Sequence, residues 1–271
     1  MHSGSGTYVP SVHAKKFKER NMNPDELRVL SDALPETTKE ELLNPSAHAV
    51  GKGFGGLLYW MFHPLIKLGI RTQSEVETYQ KSFEEKAKNI DIENYDSSNL
   101  GLAYSTLQSS AGRLDNDVLR EMFAQLLTNT LDKTKNSTIS PKFKSVLANM
   151  SNDEAILLNT LASNKYYKTG FPYLNFYQKT EANGKLDTAT DIIGISNGEY
   201  IQKHAEISEL EIDGIIKTKT DQWFDSGELA DQYNLIKEDL NKIPEFSKDE
   251  ASNGTLMFTD FGQRLVNAIL P

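Results

Sequence analysis

Leu119-Arg120-Glu121-Met122-Phe123-Ala124-Gln125-Leu126-Leu127-Thr128-Asn129-Thr130-Leu131 carries apolar doublets four residues apart, and Val118-Leu119 begins the series. Doublets at that interval cover a broader stripe than a surface helix needs. The segment from about Asp115 to Leu131 therefore reads as the central helix of a bundle. Asp115 and Asp117 fall in its first turn, where the helix dipole favours negative charge.

The flanking segments supply partners for that stripe. Upstream, Thr72-Gln73-Ser74-Glu75 is a capping box, and Val76, Tyr79, Phe83, Ala87 and Ile90 follow at spacings of three and four. A second helix is expected from about Ser98 to Gly112, with Leu100, Tyr104, Leu107 and Ala111 on its apolar side. Downstream, Ser140-Pro141 opens a short helix bearing Phe143, Val146, Leu147 and Met150. Ser151-Asn152-Asp153-Glu154 is a second capping box, starting a helix that runs to about Ala162. Aromatic and methionine residues at helical spacing are core positions before they are a cofactor box, and no cofactor is expected.

The amino-terminal third is different. Met1 to Pro10 is polar, without the apolar centre of a signal peptide, and Lys15, Lys16, Lys18 and Arg20 form a basic run. A short helix is expected from Pro24 to Leu34, capped by Asn23. Then comes a dense apolar segment, residues 53–70, with six apolar residues in a row from Leu57 to Phe62. From Gly53 to Ile66 is 14 residues, about 21 Å as a helix, against roughly 30 Å for a hydrocarbon core. A single crossing is too long for it. The alternatives are a buried hairpin or core helix, and a membrane or partner contact through Phe54, Leu57, Leu58, Trp60, Met61, Phe62 and Leu65. The glycines from Gly51 onward do not spell a phosphate loop, since the Lys-Ser/Thr ending is missing.

After Gly170 the pattern changes again. Phe171 to Tyr177 is β-prone, Asn183-Gly184 is a turn signal, and Glu199 to Ile212 reads as a helix. Asp213-Gly214 ends it before a short strand at Ile215-Ile216-Lys217. Trp223 to about Asn241 reads as an inserted helix with Leu229, Tyr233, Ile236 and Leu240 in register. Thr255 to Phe258 is strand-like, and Thr259 caps a last helix through Leu270, with Phe261, Leu265, Ile269 and Leu270 inward. This order resembles a winged helix-turn-helix.

Charge decides what such a region would bind. The chain carries 29 Lys plus Arg against 38 Asp plus Glu, a net charge of -9. Between Ile201 and Glu250 there are six cations and 13 carboxylates, and the helix expected at Glu199 to Asp213 has Lys203 as its one cation. Phosphate backbones are gripped by clustered cations, so nucleic acid is not the expected partner; a protein is. With no cysteine, thiolate metal sites, disulfides and a cysteine nucleophile are excluded. The five histidines, His2, His13, His48, His63 and His204, show no metal-ligand spacing, and no arginine is followed by one at four to six residues. No serine-hydrolase elbow, kinase or nucleotide fingerprint occurs either. The acidic pairs Glu84-Glu85 and Asp153-Glu154 read as solvated or capping carboxylates. No catalytic, cofactor or metal residue is expected.

The block Leu119 to Leu131, with Ser140-Pro141-Lys142-Phe143 and Leu147 to Leu158, resembles the Leu-Arg-Glu-Met-Phe-Ala-x-Leu-Leu and Pro-x-Phe … Leu-Ser-x-x-Glu-Ala blocks of the abortive infection alpha family of prokaryotic proteins. Phe258-Thr259-Asp260-Phe261-Gly262-Gln263-Arg264-Leu265 is similar to that family's Leu-Thr-x-x-Gly-x-x-Phe ending, with Leu265 where phenylalanine is usual. The resemblance covers roughly residues 70 to 270. It implies a role in defence against phage, and it supplies no catalytic residues.

The expected fold is therefore mainly α (α+β overall), an N-terminal helical bundle followed by a winged-helix-like C-terminal domain. Residues 1–50 form a polar extension, 51–135 the helical region, and 140–271 the winged-helix-like domain with an insertion at about 218–250. The expected function is antiviral defence through protein contact or self-association, in the cytoplasm. One alternative is a membrane-acting effector using residues 54–68; another is a DNA-binding regulator.

Overall fold

The computed structural model describes Phe62 and residues 72–271, apart from 182–183, 244–245 and 247–249. The helix expected at Pro24–Leu34, most of the apolar segment 53–70, and Asn183 of the expected turn lie outside these residues.

Eight α-helices occur among the described residues: α1 (Gln73–Ala87), α2 (Leu100–Ser110), α3 (Asp117–Thr130), α4 (Lys142–Asn149), α5 (Asn152–Ala162), α6 (His204–Ile212), α7 (Gly227–Leu240) and α8 (Asp260–Ile269). Both capping boxes form, Thr72 with Glu75 and Ser151 with Glu154. Asn116 caps α3 and Thr259 caps α8, each accepting a backbone N–H from three residues ahead. α3 is central: it packs against α1, α2, α4, α5 and α8. Its doublets are why. Leu119, Met122, Phe123, Leu126 and Leu127 are all buried.

The C-terminal half holds β1 (Phe171–Lys179), β2 (Lys185–Ser196), β3 (Glu199–Gln202), β4 (Ile216–Lys219) and β5 (Glu250–Phe258). They form one five-stranded sheet in the order β3-β2-β1-β5-β4, and every neighbouring pair is antiparallel. This sheet overturns the winged-helix reading. A winged helix has a small sheet beside a three-helix core. Here a 12-residue strand, β2, runs through a stretch rich in Asp and Thr, and β3 replaces the first turn of the helix expected at Glu199 to Ile212. The stretch from Lys185 to Thr190 alternates too weakly in hydropathy to signal a strand; pairing with β1 makes it one.

Alternation along β1 splits the core in two. Phe171 and Tyr173 face the helical body and join Ile193, Leu256 and Phe258 in the main apolar cluster, which extends to Phe83, Phe123 and Leu265. Leu174 and Phe176 face the other way, with Ile192, onto Tyr233, Ile236 and Leu240 of α7. α7 thus covers the second face of the sheet. Its Tyr233 hydroxyl donates to the Gly254 carbonyl at 2.5 Å, which ties the helix to β5.

Candidate functional site

Where α6 begins, the chain leaves β3 and crosses the sheet face that the helical body covers. Asp191 on β2 lies opposite Asn175 on β1, so their side chains share that face with Tyr173. Asp191 Oδ1 accepts from the Tyr173 hydroxyl at 2.5 Å and from Asn175 Nδ2 at 3.2 Å. Its Oδ2 lies 2.6 Å from Nδ1 of His204, the first residue of α6. The Asp191 side chain is 6% exposed and that of His204 is 42% exposed. A carboxylate against Nδ1 favours the tautomer of the neutral ring that carries its proton on Nδ1, which leaves the Nε2 lone pair for other partners. No hydrogen bond to Nε2 forms among the described residues.

The local strand geometry is irregular beside this pair. From Asn175↔Asp191 to Tyr177↔Asp187, β1 advances two residues while β2 advances four. Bulges of this kind re-aim side chains and often border functional sites. Sequence reasoning missed the pair because His204 and Asp191 are related by sheet register rather than by spacing along the chain. One signal was available: Asn197-Gly198 has φ of 48 and 82, the left-handed pair that closes a two-residue hairpin between β2 and β3. Recognising that turn would have placed β3 and shifted the start of α6 to His204.

A second feature lies on the outer side of α6. Ala205, Glu209 and Ile212 fall at i, i+4 and i+7 and are all exposed, Ile212 to 83%. Ile207 and Leu210 face inward. The Glu209 carboxyl is held above its ordinary range, chiefly by the charge of Glu154 on the adjacent α5. Asp213 is raised too, first by burial and then by Glu154. The neighbouring cation is engaged elsewhere: Lys203 bonds Glu206 at 2.8 Å and lies 3.7 Å from Asp153, and it holds the Glu206 carboxyl below its usual range. Further exposed large apolar side chains among the described residues are Ile156, Leu186, Trp223 and Leu235.

A carboxyl raised by like charge binds its proton more tightly in the folded than in the unfolded chain. Glu209 therefore opposes folding at neutral pH; that opposition fades as pH falls through the raised folded-state value and is gone below the ordinary value of 4.5. Glu209→Gln should raise the melting temperature at pH 7, with the gain shrinking toward pH 4. Thermal unfolding monitored by circular dichroism checks this; an unchanged or lowered melting temperature at pH 7 contradicts it.

Of the sequence-predicted contact residues, Phe62 is described, and it is buried. Its ring stands edge-on to Tyr79 at 5.3 Å and tilted to Phe83 at 6.2 Å. Phe54, Leu57, Leu58, Trp60, Met61 and Leu65 lie outside the described residues. Among the described residues, no helix is long and apolar enough to cross a membrane, and no group of three His, Asp or Glu could hold a metal ion.

Residues 71–269 match the model of the family described as abortive infection alpha. The chain belongs to that family. No curated protein and no solved structure matched it. The blocks that carry the abortive infection alpha resemblance are positions that build the fold: Phe123 and Phe143 are fully buried, Ser151 and Glu154 form a capping box, and Thr259 caps α8. His204 and Asp191 lie within the matched residues yet outside those blocks.

Proposed function

We propose that this abortive infection alpha protein acts in phage defence by binding another protein through the outer side of α6. The supporting observation is the juxtaposition there of Ile212, the most exposed large apolar side chain among the described residues, with Glu209, a carboxyl raised chiefly by the nearby charge of Glu154, and Asp213, raised first by burial and then by that same charge. A partner presenting an apolar contact ringed by lysine or arginine would bury Ile212 and relieve that repulsion at once. The same charges disfavour a nucleic-acid backbone, whose phosphates would add to the repulsion.

The test uses the full chain in cells challenged with phage. Ile212→Glu is a surface change, so the protein should fold and accumulate normally while phage plating rises toward that of cells lacking the protein. A photo-crosslinking residue at position 212 should give an adduct that the same residue at exposed Lys81 does not. Full protection by Ile212→Glu, with no position-specific adduct, overturns the reading.

A further inference from the structure

We propose that His204 and Asp191 form a proton-transfer site in which His204 acts as general base on a water molecule attacking a neutral carboxylic ester. This goes beyond the protein-binding role and rests on different residues.

The arrangement is the base-and-orienter half of a hydrolytic site. Asp191 is buried, and an ionised carboxylate in that setting is costly unless its lone pairs are occupied. Three donors occupy them: Tyr173, Asn175 and His204. Tyr173 and Asn175 fix the carboxylate, and the carboxylate fixes the tautomer and plane of an imidazole whose side chain is 42% exposed. A histidine serving only to pin α6 would gain nothing from that exposure. Ile207 and Leu210 already seat the helix in the main core.

The surrounding charge selects the substrate class. Lys203, adjacent in sequence, is paired with Glu206 and Asp153 and so is not free to receive a phosphate. An uncharged acyl group meets no such penalty. In the first step Nε2 takes a proton from water as the water oxygen bonds to the acyl carbon, and the carbonyl π pair moves to its oxygen. The tetrahedral adduct then re-forms the carbonyl and expels the alcohol oxygen, which takes the proton back from Nε2. The products are a carboxylic acid and an alcohol; water is the one co-reactant, and Asp191 takes no part in the bond changes. Asp191 is a positioning residue, since it acts through the imidazole.

The full chain should hydrolyse p-nitrophenyl acetate or p-nitrophenyl butyrate with saturation, at a rate that falls in D2O. General-base assistance contributes about 10²–10⁴-fold. His204→Gln, at a half-exposed position, should keep its melting temperature and lose at least about 100-fold in rate. Asp191→Asn, and Tyr173→Phe, which keeps the ring, should each lower kcat with KM unchanged, in chains whose folding is checked by melting. Several results would sink the proposal: no saturable hydrolysis by wild type, equal rates for wild type and His204→Gln, or no slowing in D2O. Hydrolysis of bis(p-nitrophenyl) phosphate in place of the carboxylic esters would overturn the substrate class.

Discussion

Gly262→Ala should destabilise the protein by about 3 kcal/mol or more, the sum of a steric clash and a lost cap. Gly262 sits in the first turn of α8, against the segment that leads into β4. A Cβ there would lie 1.9 Å from the Ile215 carbonyl oxygen, 2.8 Å from its carbon and 3.1 Å from Ile215 Cα. These are backbone atoms, so no side chain can swing aside. Withdrawing the helix would break what the contact organises. Thr259 N donates to Ile215 O at 3.0 Å, the Thr259 hydroxyl donates to Gly214 O at 2.5 Å, and Gly262 N donates to that hydroxyl at 2.9 Å. Overpacking costs about 1–3 kcal/mol and a lost cap about 1 kcal/mol. Typical domains have 5–15 kcal/mol in all. Urea unfolding of the purified chain measures the loss. Gly112→Ala is the control, because a Cβ there meets nothing within 4 Å; it should fall within about 1 kcal/mol of wild type. Similar midpoints for the two variants would contradict the argument.

That glycine explains part of the family's ending. In Phe258-Thr259-Asp260-Phe261-Gly262, the threonine is the cap and the glycine is the close approach. Leu265, where phenylalanine is usual, is buried in the main core. The motif is a joint between a helix and a sheet, and it says nothing of chemistry. This is why a family resemblance could be read with its biological role and without a mechanism.

The helical half was legible for a simple reason. Helix periodicity and capping are local, so Thr72, Ser151 and the α3 doublets announce themselves within a few residues. The sheet was less so. β1 was visible in its aromatics, but β2 pairs over residues such as Leu186 and Asp187 that carry no strand signal. The candidate site depends on that pairing. Asp191 is one acidic residue among many until register sets it beside Asn175 and under His204. The charge reading needed no register, since the carboxylates around α6 are close in sequence. Even there, the effect of Glu154 on Glu209 came from α5 packing against α6.

Phe123→Ala carries the other large expected effect, a loss of about 3–5 kcal/mol. Phe123 is fully buried at the middle of α3, the helix that touches five others, so the void opens where several elements meet. The neighbours cannot all close on it, because α3 is also pinned by polar contacts. Asn129 Nδ2 donates to the Ala268 carbonyl of α8 at 2.9 Å, and Gln125 Nε2 donates to Asn129 Oδ1 at 3.1 Å. Those bonds fix how far α3 can slide toward α8 before a buried amide loses its partner, which costs about 1–3 kcal/mol more. Phe123→Leu keeps most of the volume and should cost clearly less than the alanine change. Ile156→Ala, at a 46% exposed position on α5, should fall within about 0.5 kcal/mol of wild type. Chemical denaturation of the three variants gives the order. If Phe123→Ala loses no more than Ile156→Ala, α3 is not the centre of this fold.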